Sequence, residues 1–185
     1  MNHYSNVGAT MIMKADLFAF AAHTGASQVR KYTADPYIIH PRAVARLVQG
    51  VPGHDYRQVV LALLHDTVED TGISLDDIES LFGEAMREDV EALTNCGKEM
   101  GNRKTRFEIN LKRIAAAPNS VKTVKVADLI DNTSTIVQHD PNFAVVYLKE
   151  KKELLERALR GADEVLWQRA WSQCCTSMIE LEAGA

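Results

Sequence analysis

Along this chain the apolar positions recur every three to four residues, segment after segment, while the two-residue alternation of half-buried strands is nearly absent. Met11 to Ser27 reads as a helix with Leu17, Phe18 and Ala21 on its inner face. "YTADPYIIHP" reads as loop or extended chain, because Pro36 and Pro41 disfavour helix in the residue before each of them. Pro41 suits the first turn of "PRAVARLVQG", which Gly50 closes. Tyr56 to about Val68 forms the next helix, and its stretch Val59 to Leu64 is apolar without a break, as expected of a segment buried on all sides. "SLDDIESLFG" carries a Ser74 cap, acids in its first turn and Gly83 as a stop signal. Further helices are expected over Glu84 to Thr94, Arg103 to Ala117, Val121 to Val137, Phe143 to Arg160 and Ala162 to Leu181. The pattern predicts an all-α fold, one compact domain of about eight or nine helices spanning residues 1–185.

Composition narrows the class. A 185-residue chain with 46% hydrophobic residues suits a single globular domain. No apolar run reaches the roughly 20 residues of a membrane span, and Lys14 and Asp16 interrupt any secretory h-region. A cytoplasmic location is the expectation, and the three cysteines, without zinc-like spacing or a disulfide framework, agree with it. The net charge of −4 speaks against a duplex-binding protein, so neither nucleic acid nor membrane is an expected partner. The basic stretch "NRKTRFEINLKR" is the local exception and reads first as a solvated helix face. Nothing in the sequence sets the oligomeric state.

The chemistry concentrates where the apolar run ends. His65, Asp66, Glu69 and Asp70 crowd into "HDTVED" directly after Leu64. Polar groups at the end of a buried helix are costly unless a metal or a dense hydrogen-bond network compensates. His65 and Glu69 are four apart, as are Asp66 and Asp70, so each pair lies along one face of the helix. Like charges at that spacing repel, and a divalent cation would reverse the sign of that interaction. The plainer reading is a helix end fraying into the polar loop Asp70-Thr71-Gly72. His-Asp also occurs at His54-Asp55, after a Pro-Gly turn, and at His139-Asp140, before Pro141. Both read as solvated turn residues, with Asp55 capping the helix that follows. Two further candidates could complete a ligand set. His40 in "PYIIHP" is either a ligand or a satisfied core histidine, and Asp128 in "VKVADLIDN" lies either on the solvated side of its helix or buried as a ligand. A set of two histidines and two aspartates would suit Mn²⁺, Fe²⁺ or Zn²⁺ better than Ca²⁺.

"AAHTGASQVRKYTADPYIIHPRAVARLV", "ALLHDTVEDTGIS" and "VKVADLIDNTST" occur in this order. Together they resemble the HD-domain hydrolases of the RelA/SpoT group, most closely the stand-alone small alarmone hydrolases, over about residues 15–155. The resemblance implies a helical HD-domain bundle that removes pyrophosphate from the 3′ position of guanosine tetra- or pentaphosphate, leaving GDP or GTP. It implies His40, His65, Asp66 and Asp128 as ligands of one ion, Mn²⁺, with Glu69 and Asp70 handling water and proton transfer. It implies Arg30 and Lys31 facing the base and phosphates, Asn132 and Thr135 at the sugar and phosphate end, and Tyr147 as a nucleotide contact. On this reading no synthetase or regulatory domain follows Ala185. Two departures bear on base specificity: the loop "YTADPY" is one residue longer than the common bacterial form, and Leu129 stands where a basic residue is common. The same site could serve another phosphorylated nucleotide, an adenosine analogue or NADPH, or the protein could be a silent nucleotide sensor or partner-binding protein.

Overall fold

The computed structural model describes residues 5–183, which are helical throughout apart from loops and one isolated bridge, Val29 with Pro36. The helices are α1 (Asn6–Gly25), α2 (Ile39–Gln49), α3 (Tyr56–Leu64), α4 (Thr67–Asp70), α5 (Leu75–Phe82), α6 (Glu84–Leu93), α7 (Arg103–Ala116), α8 (Asn119–His139), α9 (Pro141–Arg157) and α10 (Glu164–Ala183), with a 3-10 turn at Lys98–Met100. None of them is long and apolar enough to cross a membrane. The chain divides into two compact units after Asn95.

In the first unit α3 is the central rod, packed against α1, α2 and α6. Its six apolar residues Val59 to Leu64 are each no more than 3% exposed, which is why the sequence can afford no polar position there. Asp55 caps it through a reciprocal box with Gln58, and Ser74 caps α5 in the same way with Asp77. Helix α2 starts two residues earlier than the proline signal indicates, so Pro41 sits within its first turn rather than at its first position.

Three expectations are corrected here. The inner face of α1 is Gly8, Ala15, Ala19 and His23, whereas Leu17 is 61% exposed and Ala21 is also exposed. The helix packs along a line of small side chains, with Leu17 turned outward, while Phe18 is half-buried, its ring edge to face with Phe82 at 5.5 Å. Tyr56 to Val68 is not one helix: it breaks at His65 and Asp66, giving α3 and α4. His54 is buried, not solvated, and its Nδ1–H donates to the Val51 carbonyl at 2.7 Å, closing the turn before Asp55. His139, by contrast, is exposed at the last position of α8, and Asp140 caps α9.

The second unit is built around α8, which packs on α9 and α10. The basic stretch is largely a solvated face, as its composition suggests. Arg103 forms two 2.7 Å hydrogen bonds with Glu150, and Arg157 reaches back to Glu108. Beneath α8 lies a polar network that the apolar pattern conceals. Lys151 is 1% exposed, and its Nζ donates to Thr133 Oγ1 at 2.7 Å and Gln173 Oε1 at 2.9 Å. Gln173 in turn donates to the Ile130 carbonyl, and Thr133 to the Leu129 carbonyl. Burial lowers the Lys151 ammonium pKa to about 8.

An ammonium whose pKa is lower in the fold than in the unfolded chain penalises folding while it is protonated, and the penalty is lifted as pH rises. Stability should therefore climb by about 1 kcal/mol between pH 8 and pH 9 on account of Lys151. Burial raises the pKa of the Cys174 thiol and of the Tyr147 phenol, so above pH 9 to 10 both pull stability down again. Urea unfolding at half-unit steps of pH measures the climb. It should be absent in Lys151→Met.

Candidate metal centre

The break between α3 and α4 builds the site. His65 is the C-cap of α3 and Asp66 the N-cap of α4, with φ −101° and ψ −3° at Asp66. Backbone carbonyls at such a break need new donors. The Ala62 carbonyl accepts from His65 Nδ1 at 2.8 Å, and the Leu64 carbonyl accepts from Thr67 Oγ1 at 2.7 Å. Because a carbonyl can only accept, His65 carries its proton on Nδ1, and Nε2 presents a lone pair. This is the tautomer a metal-ligating histidine needs.

Helix α2 supplies the second imidazole. His40 and His65 are 1% and 2% exposed, with their rings edge to face at 5.1 Å. Their Nε2 atoms lie 3.4 Å and 3.1 Å from the same oxygen, Asp66 Oδ2. One ligating atom from each of His40, His65 and Asp66 falls within 4.8 Å of the others. Burial would raise the Asp66 carboxyl pKa, but the charge and N–H groups that His65 and His40 bring beside it when protonated hold it well below the usual carboxylate range. Two nitrogen donors from buried imidazoles and a half-buried aspartate carboxylate, packed this closely, suit a divalent transition ion.

Tyr37, in the loop before α2, adds a hydroxyl that donates to Asp66 Oδ2 at 2.6 Å. Around it stand the Arg30 guanidinium, 6.0 Å from its ring centre, and the His23 ring at 4.8 Å. Lys31 is exposed, its ammonium folded over Tyr32. Glu69 and Asp70 are both exposed on α4. The Glu69 carboxylate accepts from Asn95 twice, from the backbone N–H at 2.8 Å and from Nδ2 at 3.0 Å.

In the second unit, Asp128 proves to be on the buried side of α8, at 4% exposed. It accepts from Lys125 Nζ at 2.8 Å and from Asn132 Nδ2 at 2.6 Å. Thr135 is half-buried, with its hydroxyl on the Asn132 carbonyl. The Tyr147 hydroxyl turns into α8, 3.3 Å from the Leu129 carbonyl and 3.4 Å from Thr133 Oγ1.

Sequence reasoning missed several of these partners. Asn95 carries no motif signal, and Lys125, although it lies within "VKVADLIDNTST", is marked as a partner only by the carboxylate it meets. His23 had one: it continues the Ala15 and Ala19 line at four-residue spacing, which marks the buried face of α1.

A sequence model of the HD domain family matches residues 17–154. The guanosine-3′,5′-bis(diphosphate) 3′-pyrophosphohydrolase of Aquifex aeolicus is 35% identical over 138 residues, which is 74% of this chain and 19% of that protein. The GTP pyrophosphokinase rsh of Brucella ovis is 34% identical over 136 residues, 71% of this chain and 18% of that protein. The chain thus spans less than a fifth of the length of these curated relatives. Among solved structures, one described as a metazoan ortholog of SpoT that hydrolyzes ppGpp matches with a TM-score of 0.78 at 24% identity, covering 94% of this chain and 96% of that one.

Proposed function

Because this chain belongs to the HD domain family, we propose that it works as a single metal-dependent HD domain which hydrolyses the 3′-diphosphate of guanosine tetra- or pentaphosphate, releasing pyrophosphate and GDP or GTP. The observation that carries the reading is the convergence of His40, His65 and Asp66 on one point, with the His65 Nδ1–H donating to the Ala62 carbonyl. Asp128 is taken as the fourth ligand on the strength of its motif and its buried carboxylate. A divalent ion held there, Mn²⁺ on this reading, supplies Lewis acidity towards a phosphoryl oxygen and makes water a competent nucleophile near neutral pH.

The chain's own groups do the rest. His40 and His65 keep neutral imidazoles towards the ion, and Asp66 contributes charge, steadied by the Tyr37 hydroxyl on the same Oδ2 that the imidazoles face. Glu69 and Asp70, exposed just beyond Asp66, orient water and take up its proton. Arg30 and Lys31 balance a substrate carrying several negative charges, with the Arg30 guanidinium beside the Tyr37 ring as a platform for the base. Asn132, Thr135 and Tyr147 are assigned to the sugar and phosphate end. A soluble, cytoplasmic enzyme acting on a small nucleotide follows from this assignment.

Product analysis tests it. Purified protein loaded with Mn²⁺ should convert ppGpp to GDP and pyrophosphate, seen by anion-exchange chromatography, and should leave GDP and GTP intact. A nucleotide with only a 5′ chain lacks the reacting group. Release of inorganic phosphate from GTP, with ppGpp untouched, would reject the alarmone substrate and leave an HD phosphohydrolase of another nucleotide.

A further inference from the structure

His23 has no part in the site as read from the sequence, yet the structure ties it to that site. It lies in the last turn of α1, 1% exposed, on the line of small residues that faces the core. Its Nδ1 is 2.6 Å from Gln28 Oε1, so with the carbonyl oxygen accepting, Nδ1 carries the proton. Its Nε2 is buried without a hydrogen-bond partner among the described residues. An imidazole kept dry for a single hydrogen bond is a poor choice for packing alone, because a leucine or phenylalanine would fill the space without the desolvation cost.

The contacts of His23 lead in one direction. Gln28, which holds its ring, also binds back through the main chain, with the Gln28 N–H on the His23 carbonyl at 3.0 Å. The Gln28 carbonyl then accepts from the Tyr37 N–H at 3.3 Å. The Tyr37 ring leans on the His23 ring at 4.8 Å and 41°. Tyr37 is thereby fixed at its backbone through Gln28 and at its ring by His23, and its hydroxyl ends 2.6 Å from Asp66 Oδ2. Groups that hold a ligating carboxylate from outside set its orientation and basicity, and losing one typically costs 10- to 100-fold in metal affinity.

We propose that His23 is a positioning residue of the metal centre, acting through Tyr37 on Asp66. The proposal rests on His40, His65 and Asp66 holding a metal, and a double-mutant cycle separates the two. Full-length protein is stripped with chelator and titrated with Mn²⁺, free ion being read by electron paramagnetic resonance. Tyr37→Phe should weaken Mn²⁺ binding about 10- to 100-fold. His23→Leu, which keeps apolar bulk but loses ring and nitrogens, should weaken it by a comparable factor in the wild-type background and by nothing further in Tyr37→Phe. A residue that merely supports the core would lower stability and leave Mn²⁺ affinity alone, or would weaken binding equally in both backgrounds. Either result overturns the proposal while the metal site stands. Wild-type protein that takes up no ion overturns both. If His23→Leu fails to fold, His23→Phe serves in the same cycle: it retains the ring but not the bond to Gln28, and a several-fold loss confined to the wild-type background is expected.

Discussion

His65→Ala should abolish divalent-metal binding and hydrolysis together. The expectation follows from how little freedom the side chain has. His65 ends α3, a helix with no exposed residue in its last two turns, and its Nδ1 is held by the Ala62 carbonyl. Its Nε2 is therefore aimed, and no neighbouring nitrogen can replace it. Removal leaves His40 and Asp66 as the two ligating groups of the cluster on this unit. Metal analysis after dialysis should find the variant empty, and ppGpp turnover should fall to background. Stability should fall less than a buried histidine usually implies, since two buried imidazoles crowded around one oxygen of a half-buried carboxylate are costly without an ion. Full metal occupancy in His65→Ala would show that the cluster is a hydrogen-bonded helix junction and not a metal centre. His139→Ala is the matched control, because the histidine of the same dipeptide there is exposed at a helix end.

Glu69→Gln should leave metal and nucleotide binding nearly intact and lower kcat by about 10²- to 10⁴-fold, the range of a general acid or base. The structure supplies a rival role that makes this a sharp test. Glu69 accepts two hydrogen bonds from Asn95 and could serve only to pin the chain after α6. A glutamine retains one accepting oxygen and so keeps part of that clamp, at a cost of about 1 kcal/mol for the bond it loses. A pure clamp therefore predicts a modest drop in urea midpoint with unchanged kcat, whereas a proton-handling carboxylate adds the loss of kcat to that drop. Loss of bound metal in Glu69→Gln would instead make Glu69 a ligand. Single-turnover kinetics alongside denaturation curves distinguish the three.

Local chemistry determined much of this protein from the sequence alone. The unbroken run Val59 to Leu64 marks a segment buried on every side, and Asp55 and Ser74 cap the helices that follow them because capping needs nothing beyond three residues' reach. The density of ligating groups at His65 and Asp66 was likewise legible, since periodicity marks where a dry helix meets them. What the tertiary structure decided lies at longer range. The helix breaks at His65 because two side chains are there to take up the carbonyls of Ala62 and Leu64, a compensation invisible to helical spacing. Asp128 could have faced solvent or core, and packing of α8 settled it as buried. Leu17 lost the inner face of α1 to alanines because close approach of helix axes rewards small side chains over hydrophobic ones. Tyr37 reaches Asp66 across 29 positions of chain, and a contact of that span leaves no local trace, since any hydroxyl looks the same until the fold places it; the four-residue spacing that marks His23 as buried likewise does not say that its ring meets Tyr37.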